Sequence, residues 1–327
     1  MSLSVLPPSW REIQRKNFIS LEPLADFLEL TQEQRSQLID RPRFRLNVPL
    51  RLAARMQKGS VKDPLFRQFV PLRDELLKTD GYVLDPVGDS LCRETSKLIH
   101  KYQGRVLLVC SSACVMHCRY CFRQNFDYAT ENKVFDDELR YITGDPSIHE
   151  VILSGGDPLS LSNNKLKDLI GSLEKIPHLK KLRFHSRFPI GIPERLDDEL
   201  IAILGSTRLQ VFFVIHCNHP HEIGDDLFLA LARVQKLGIP VLNQTVLLRG
   251  VNDSVDILAD LFENLTDRGV MPYYLHQLDP VQGAAHFAVP ESAGRVLIEG
   301  LKKVLPGYAV PRYVREVPGE SSKSAII

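Results

Sequence analysis

The sequence predicts an α/β fold: a partial barrel of six strand–helix units, with a helical extension before it and a short tail after it. Three observations carry that expectation. From about residue 105, apolar runs of strand length alternate six times with longer stretches of helical periodicity. The apolar content of those runs suits parallel strands covered by helices. Polar and glycine clusters fall where the strands end, at "CSSAC", "SGGD", "HSR", "HCNHP" and "QLDP", and barrels gather their sites at that end. A doubly wound sheet has the same alternation, so the third observation favours the barrel.

Residues 1–95 read as short helices broken by prolines: "WREIQRKNF", "PLADFLEL", "PLRLAARMQKG" and "DPLFRQF". Asp63 before Pro64 makes a cap followed by a first turn. No chemistry is visible in this region, which is expected to pack on the main domain. Residues 96–305 hold the barrel. "RVLLVC" leads through a cysteine loop to a helix at "DDELRYI", and "EVILSGGD" leads to "NNKLKDLIGSLEKI". "KKLRFHSR" precedes "ERLDDELIAIL", and "LQVFFVIH" precedes "DDLFLALARVQKLG". "PVLNQTVLL" precedes "SVDILADLFENLTDRG", and "PYYLHQL" precedes "ESAGRVLIEGLKKVL". Residues 306–327 have strand character and then a Gly/Ser stretch.

A net charge of +1 leaves no broad electrostatic footprint for nucleic acid or a membrane surface. No apolar run approaches the roughly 18–20 residues needed to span a bilayer. The start "MSLSVLPPSWREIQRKN" lacks a signal pattern, so a cytoplasmic, reduced protein is expected. Six cysteines in 327 residues do not suggest a disulfide framework, and three of them crowd into eight residues, which points to metal.

Those three, Cys114, Cys118 and Cys121, are spaced C-x3-C-x2-C, with Tyr120 before the last. A structural zinc site needs four ligands, usually as two paired knuckles, and only one such pair is present. Zinc held by Cys114, His117, Cys118 and Cys121 stays open as an alternative, as does an incidental cluster. The better reading is a [4Fe-4S] cluster on three thiolates, which leaves one iron free to chelate a substrate. Cys92, Cys110 and Cys217 read as core or loop residues.

On the loop after the first barrel strand, that spacing resembles the radical S-adenosylmethionine (SAM) enzymes. In them the free iron binds the amino and carboxylate groups of SAM, and an injected electron releases a 5′-deoxyadenosyl radical. "LSGGDP" at 153–158 lies where that superfamily has its GGE-like turn. Alone it would be a structural turn. In this place Gly155 and Gly156 are expected to let the backbone approach closely and Asp157 to supply a carboxylate. The resemblance implies SAM contacts at Tyr120, Ser154, Gly155, Gly156, Asp157 and Gln244.

Over roughly residues 60–327 the string "HKYQGRVLLV", "CRYCFR", "ILSGGDPL", "NQTVLLRGVND", "MPYYLHQLD" and "AAHF" resembles the lysine 2,3-aminomutases. Those enzymes use SAM, an iron–sulfur cluster and pyridoxal 5′-phosphate (PLP). The resemblance places the PLP lysine at Lys323, in "GESSK" where the family has "GGGGK", and lysine suits a Schiff base. It implies Lys101 and Arg105 as phosphate partners with Tyr102 beside them. Arg123 would clasp the substrate carboxylate. Asp279 and Glu316 would hold the distal amine, and two carboxylates there argue for a cationic substrate, L-lysine.

The implied activity is an isomerase that moves the amino group of L-lysine from the α- to the β-carbon. A reducing protein such as flavodoxin or ferredoxin would supply the electron. The short tail to Ile327, and Ser254 where catabolic relatives carry a zinc-binding cysteine, resemble the aminomutases that supply (R)-β-lysine for elongation factor P through a partner ligase. The rivals are a catabolic aminomutase and a radical SAM enzyme without PLP, which would not need Lys323. A non-enzymatic metal protein would not cleave SAM.

Overall fold

All six expected strand–helix units lie in one sheet whose spatial order is the chain order. The structure is a computed structural model that describes residues 8–128 and 134–327, so residues 1–7 of the expected N-terminal region lie outside the described residues. Five short helices come first: α1 (Trp10–Gln14), α2 (Leu21–Phe27), α3 (Gln32–Arg35), α4 (Leu50–Ala53) and α5 (Pro64–Phe69). Asp63 caps α5, accepting from the Leu65 and Phe66 N–H groups at 2.9 Å, with Pro64 in the first turn.

The sequence reading runs helices up to residue 95, but a strand pair begins just before it. β1 (Arg93–Thr95) and β2 (Leu98–Tyr102) are antiparallel. The chain then turns at Gly104 (φ 76°), a left-handed conformation that glycine adopts without a Cβ penalty, into β3 (Arg105–Ser111). Three residues are too few to show a period, so β1 exists only through its partner.

From β3 the run is parallel through β4 (Glu150–Gly155), β5 (Lys181–Ser186), β6 (Gln210–His216), β7 (Val241–Val246), β8 (Met271–His276) and β9 (Arg312–Arg315). The crossovers are α6 (Asp136–Gly144), α7 (Asn163–Glu174), α8 (Phe188–Gly191) with α9 (Asp198–Ser206), α10 (Asp225–Gln235), α11 (Val255–Thr266) and α12 (Glu291–Val304). A doubly wound sheet reverses its strand order at a switch point. Here there is no reversal, and β1 and the last strand do not pair, so the sheet is a partial barrel. That last strand, β10 (Ser324–Ala325), lies antiparallel on β9. The Gly/Ser stretch therefore ends docked, with Ile326 buried and its N–H on the Tyr313 carbonyl at 2.8 Å.

Along β5 and β7, burial alternates with period two. One side of these strands is sealed. Arg183, His185, His216, Gln244, Tyr274 and His276 lie instead at partly accessible positions of β5 to β8. The N-terminal helices share the barrel's core: Leu24, Leu52, Phe66 and Phe69 belong to one buried cluster with Leu153, Phe184 and Phe213. Trp10 meets Phe188 edge-on at 5.4 Å. Among the described residues no helix is long and apolar enough to cross a membrane.

Candidate active site

The cysteine loop after β3 is pinned from two sides. The N–H groups of Gly156 and Asp157 donate to the carbonyls of Ser111 (2.6 Å) and Ala113 (2.9 Å). From the N-terminal region, Asn47 Nδ2 donates to the Cys114 carbonyl (3.0 Å) and Asn17 Nδ2 to that of Val115 (2.8 Å). Burial pushes the Cys121 thiol up to about 12, with Cys118 adding to it. Burial also raises Cys114 well above the ordinary thiol value, and Asp157, Cys121 and Cys118 push the same way. Arg187 Nη1 donates to Cys118 Sγ at 2.8 Å. Three neighbouring thiols with a cation against one of them suit an anionic cluster held by thiolates.

Zinc fits less well. His117 turns its Nδ1 to the Arg45 carbonyl (2.8 Å) and stacks on Phe44 with centroids 4.6 Å apart. Among the described residues no three His, Cys, Asp or Glu side chains are grouped as ligands of one metal ion.

The glycine turn is explained differently from the sequence reading. Gly155 has φ 113°, and a Cβ there would lie 2.7 Å from the Ser111 carbonyl oxygen. A Cβ on Gly156 would lie 2.6 Å from that of Ala113. The close approach is thus to the cysteine loop's own backbone. Asp157, the expected SAM carboxylate, is held by the protein's own donors. It is 3% exposed and accepts from the N–H groups of Leu159, Arg187 and Phe188 at 2.8–3.0 Å and from Ser186 Oγ at 2.8 Å. Burial raises it to about 6 against those donors. Its acceptor capacity is spent on fastening the end of β5 beside the turn.

Of the other expected SAM contacts, Ser154 Oγ accepts from Arg123 Nη1 at 3.3 Å. The Tyr120 hydroxyl lies 2.9 Å from His216 Nε2, accepts from Asn218 Nδ2 at 2.6 Å, and also meets Arg187. Gln244 is half-buried on β7.

The residues expected for PLP and substrate meet in a chain of charges. Arg123 Nε reaches Asp89 at 2.7 Å, and Asp89 reaches Lys101 Nζ at 2.6 Å. Lys101 lies 3.6 Å from Glu316, and Glu316 holds Lys323 Nζ at 2.5 Å and the Tyr102 hydroxyl. Burial pushes Glu316 up, but Lys323, Tyr102 and Lys101 outweigh it and hold the carboxyl low. Asp279 faces the same group, and burial lifts it to about 7 with Lys323 opposing. Arg105 stands apart: it begins β3, with its guanidinium 4.6 Å from the Tyr102 ring centre.

The sequence reading missed Asp89, a lone acid in "VGDS" without any pattern. It flagged Arg187, His185 and His216 only within the polar clusters "HSR" and "HCNHP", and gave His276 no role. Burial holds His185, His216 and His276 neutral, reinforced by Arg183 and Lys323 at His185, Arg187 at His216 and Lys323 at His276. His185 Nε2 is buried without a hydrogen-bond partner among the described residues.

Residues 102–185, which include the three cysteines and the glycine turn, match the family described as a 4Fe-4S single cluster domain. The L-lysine 2,3-aminomutase of Escherichia coli K12 is 42% identical over 286 residues, 86% of this chain and 83% of that one. That of Haemophilus influenzae is 38% identical over 97% of this chain and 95% of its own. That of Clostridium subterminale is 33% identical over 97% and 77%. A solved structure, native anSMEcpe with bound AdoMet and Kp18Cys peptide, superposes with TM-score 0.48 and 14% identity over 60% of this chain and 58% of that one, too distant to carry an argument.

Proposed function

The chain belongs to the lysine 2,3-aminomutase family, and from that premise we propose that it converts free L-lysine to β-lysine with PLP on Lys323, for attachment to elongation factor P. Isomerase chemistry with a four-iron cluster and SAM comes with the family. The observation that carries the finer reading is the convergence of Arg123, Lys101, Lys323, Glu316 and Asp279 through direct contacts or shared charge. It offers a guanidinium for a carboxylate, two acids for a distal ammonium and an amine for a Schiff base.

When bound, SAM on the reduced cluster supplies the hydrogen-abstracting radical, and PLP supplies the carbonyl and the delocalisation that the amino shift needs. The protein's residues do the rest. Glu316 holds Lys323 Nζ on one carboxylate oxygen and accepts from the Tyr102 hydroxyl on the other, which fixes the amine where a Schiff base would form. Once Lys323 is engaged, Glu316 is free for the substrate's distal ammonium, and that ammonium draws Asp279 into its charged form. Arg123, already turned toward Asp89, exchanges that carboxylate for the substrate's. The half-buried histidines of β5, β6 and β8 and the buried Tyr120 limit the water and stray hydrogen donors near the radical path. SAM contacts at the turn fall to Ser154 and the backbone of Gly155 and Gly156, with Tyr120 and Gln244 alongside.

The elongation factor reading rests on Ser254, which stands where the resemblance gives catabolic relatives a zinc-binding cysteine. Ser254, at the position of the catabolic cysteine, caps α11 by accepting from the Ile257 N–H at 3.3 Å. The test is an anaerobic assay with reconstituted cluster, PLP, SAM, dithionite and L-lysine, scored for β-lysine beside Lys323→Ala. Product from wild type alone is expected. SAM cleavage that continues without β-lysine in both would overturn the PLP and lysine assignments. Elongation factor P gaining β-lysine mass only with the product and a ligase tests the pathway.

A further inference from the structure

The outer side of the cysteine loop opens into a concavity of about 810 Å³, lined among others by Arg35, Arg41, Arg45, Arg73, Asn47 and His117. The segment "RPRFR" at 41–45 exposes Arg41, Arg43 and Arg45 at alternate positions, and Arg73 is exposed nearby. The two acids in the lining are each met by an arginine: Glu22 by Arg35 at 2.9 Å and Asp40 by Arg41 at 3.8 Å. Arg43, Arg45 and Arg73 have no ion-pair partner among the described residues. In a chain of net charge +1, this is a local positive field.

The same segment is joined to the cluster ligands. Phe44 stacks on His117, the residue before Cys118, and the Arg119 guanidinium lies 5.2 Å from the Phe44 ring centre. The backbone carbonyl of Arg45 meets His117 Nδ1, and that of Phe44 accepts from Arg119 Nη1 at 2.7 Å. One ring stack and one peptide link therefore separate the exposed strip from a cysteine ligand. None of the cavity's lining residues belongs to the lysine and PLP site.

We propose that this arginine-lined concavity docks the cluster's one-electron donor, a small protein of acidic surface, and that electrons enter through the Phe44–His117 stack. Complementary charge raises the encounter rate and sets the orientation, at a rate that salt screens. With a flavin donor the anionic hydroquinone loses one electron to become the neutral semiquinone, the cluster passes from [4Fe-4S]2+ to [4Fe-4S]1+, and no proton moves. The proposal rests on the cluster alone, so it stands or falls apart from the lysine reading.

The test mixes the cluster-loaded full chain anaerobically with an acidic bacterial flavodoxin, reduced to the hydroquinone, and follows bleaching of the cluster's visible absorption against ionic strength. Dithionite serves as the small-molecule donor in parallel. Arg41→Glu/Arg43→Glu/Arg45→Glu is expected to slow reduction by flavodoxin roughly tenfold or more at low salt and to remove its salt dependence. Reduction by dithionite stays within about twofold of wild type. Lys302→Glu/Lys303→Glu, on the exposed side of α12, leaves both rates unchanged. Equal flavodoxin rates in wild type and the triple variant, or an equal loss in the α12 control, overturn the proposal. Should the triple variant load its cluster poorly, the wild type decides: a flavodoxin rate indifferent to salt overturns it.

Discussion

A carboxyl lifted to about 7 by burial, as Asp279 is, changes its charge near neutral pH. Its neutral form offers nothing to a distal ammonium, so kcat/KM for lysine is expected to rise with pH through about 7 and to lose that step in Asp279→Asn. The sign for stability runs the other way. With a folded pKa raised above the ordinary 3.8, the residue favours the folded state below that value and loses the advantage as pH rises through about 7. Asp279→Asn therefore melts higher than wild type above pH 7, read by thermal denaturation of the ligand-free chain. At Arg123 the planar fork matters as well as the charge. Arg123→Lys keeps the pairing with Asp89 but loses bidentate grip, and KM for lysine should rise roughly tenfold to a hundredfold. Lys101, Lys323 and Glu316 could be proposed from the sequence because their motifs lie in order along the chain. Asp89 was not, because a single acid between two cations makes sense only once the fold brings all three together.

Among the elements, the β4 turn and β10 each depend on close packing. Gly156→Ala puts a methyl 2.6 Å from the Ala113 carbonyl and 2.8 Å from that of Ser112, backbone atoms that cannot swing aside. The cysteine loop must shift, costing about 1–3 kcal/mol, and iron per chain after reconstitution is expected to fall several-fold. Ile326→Ala empties the buried anchor behind β10 and weakens its pairing with β9. Proteolytic nicking of residues 316–323 should accelerate, with loss of the Lys323 adduct in borohydride trapping. The sequence could not foretell β10, since two residues carry no periodicity and the pairing partner decides. It expected Gly155 and Gly156 to allow a close backbone approach, but a glycine pair does not say that the cysteine loop is what approaches.

For the whole molecule, the shared core predicts one cooperative unfolding transition in calorimetry. Trp10→Ala, which removes contacts to Phe188 and the Arg195 guanidinium, should lower that single midpoint, costing about 3–5 kcal/mol. A separate early melt of residues 8–95 would show the helical extension to be independent. The sequence by itself determined the six-unit alternation, the barrel rather than a doubly wound sheet, and the four-iron cluster, because these rest on local periodicity, polar strand ends and the C-x3-C-x2-C spacing. Only the tertiary structure decided that Asp157 fastens β5, that Arg187 meets Cys118, and that Asp89 joins Arg123 to Lys101. Those contacts link residues 12 to 69 positions apart, and a hydrogen bond or ion pair at that separation leaves no period in the chain to read.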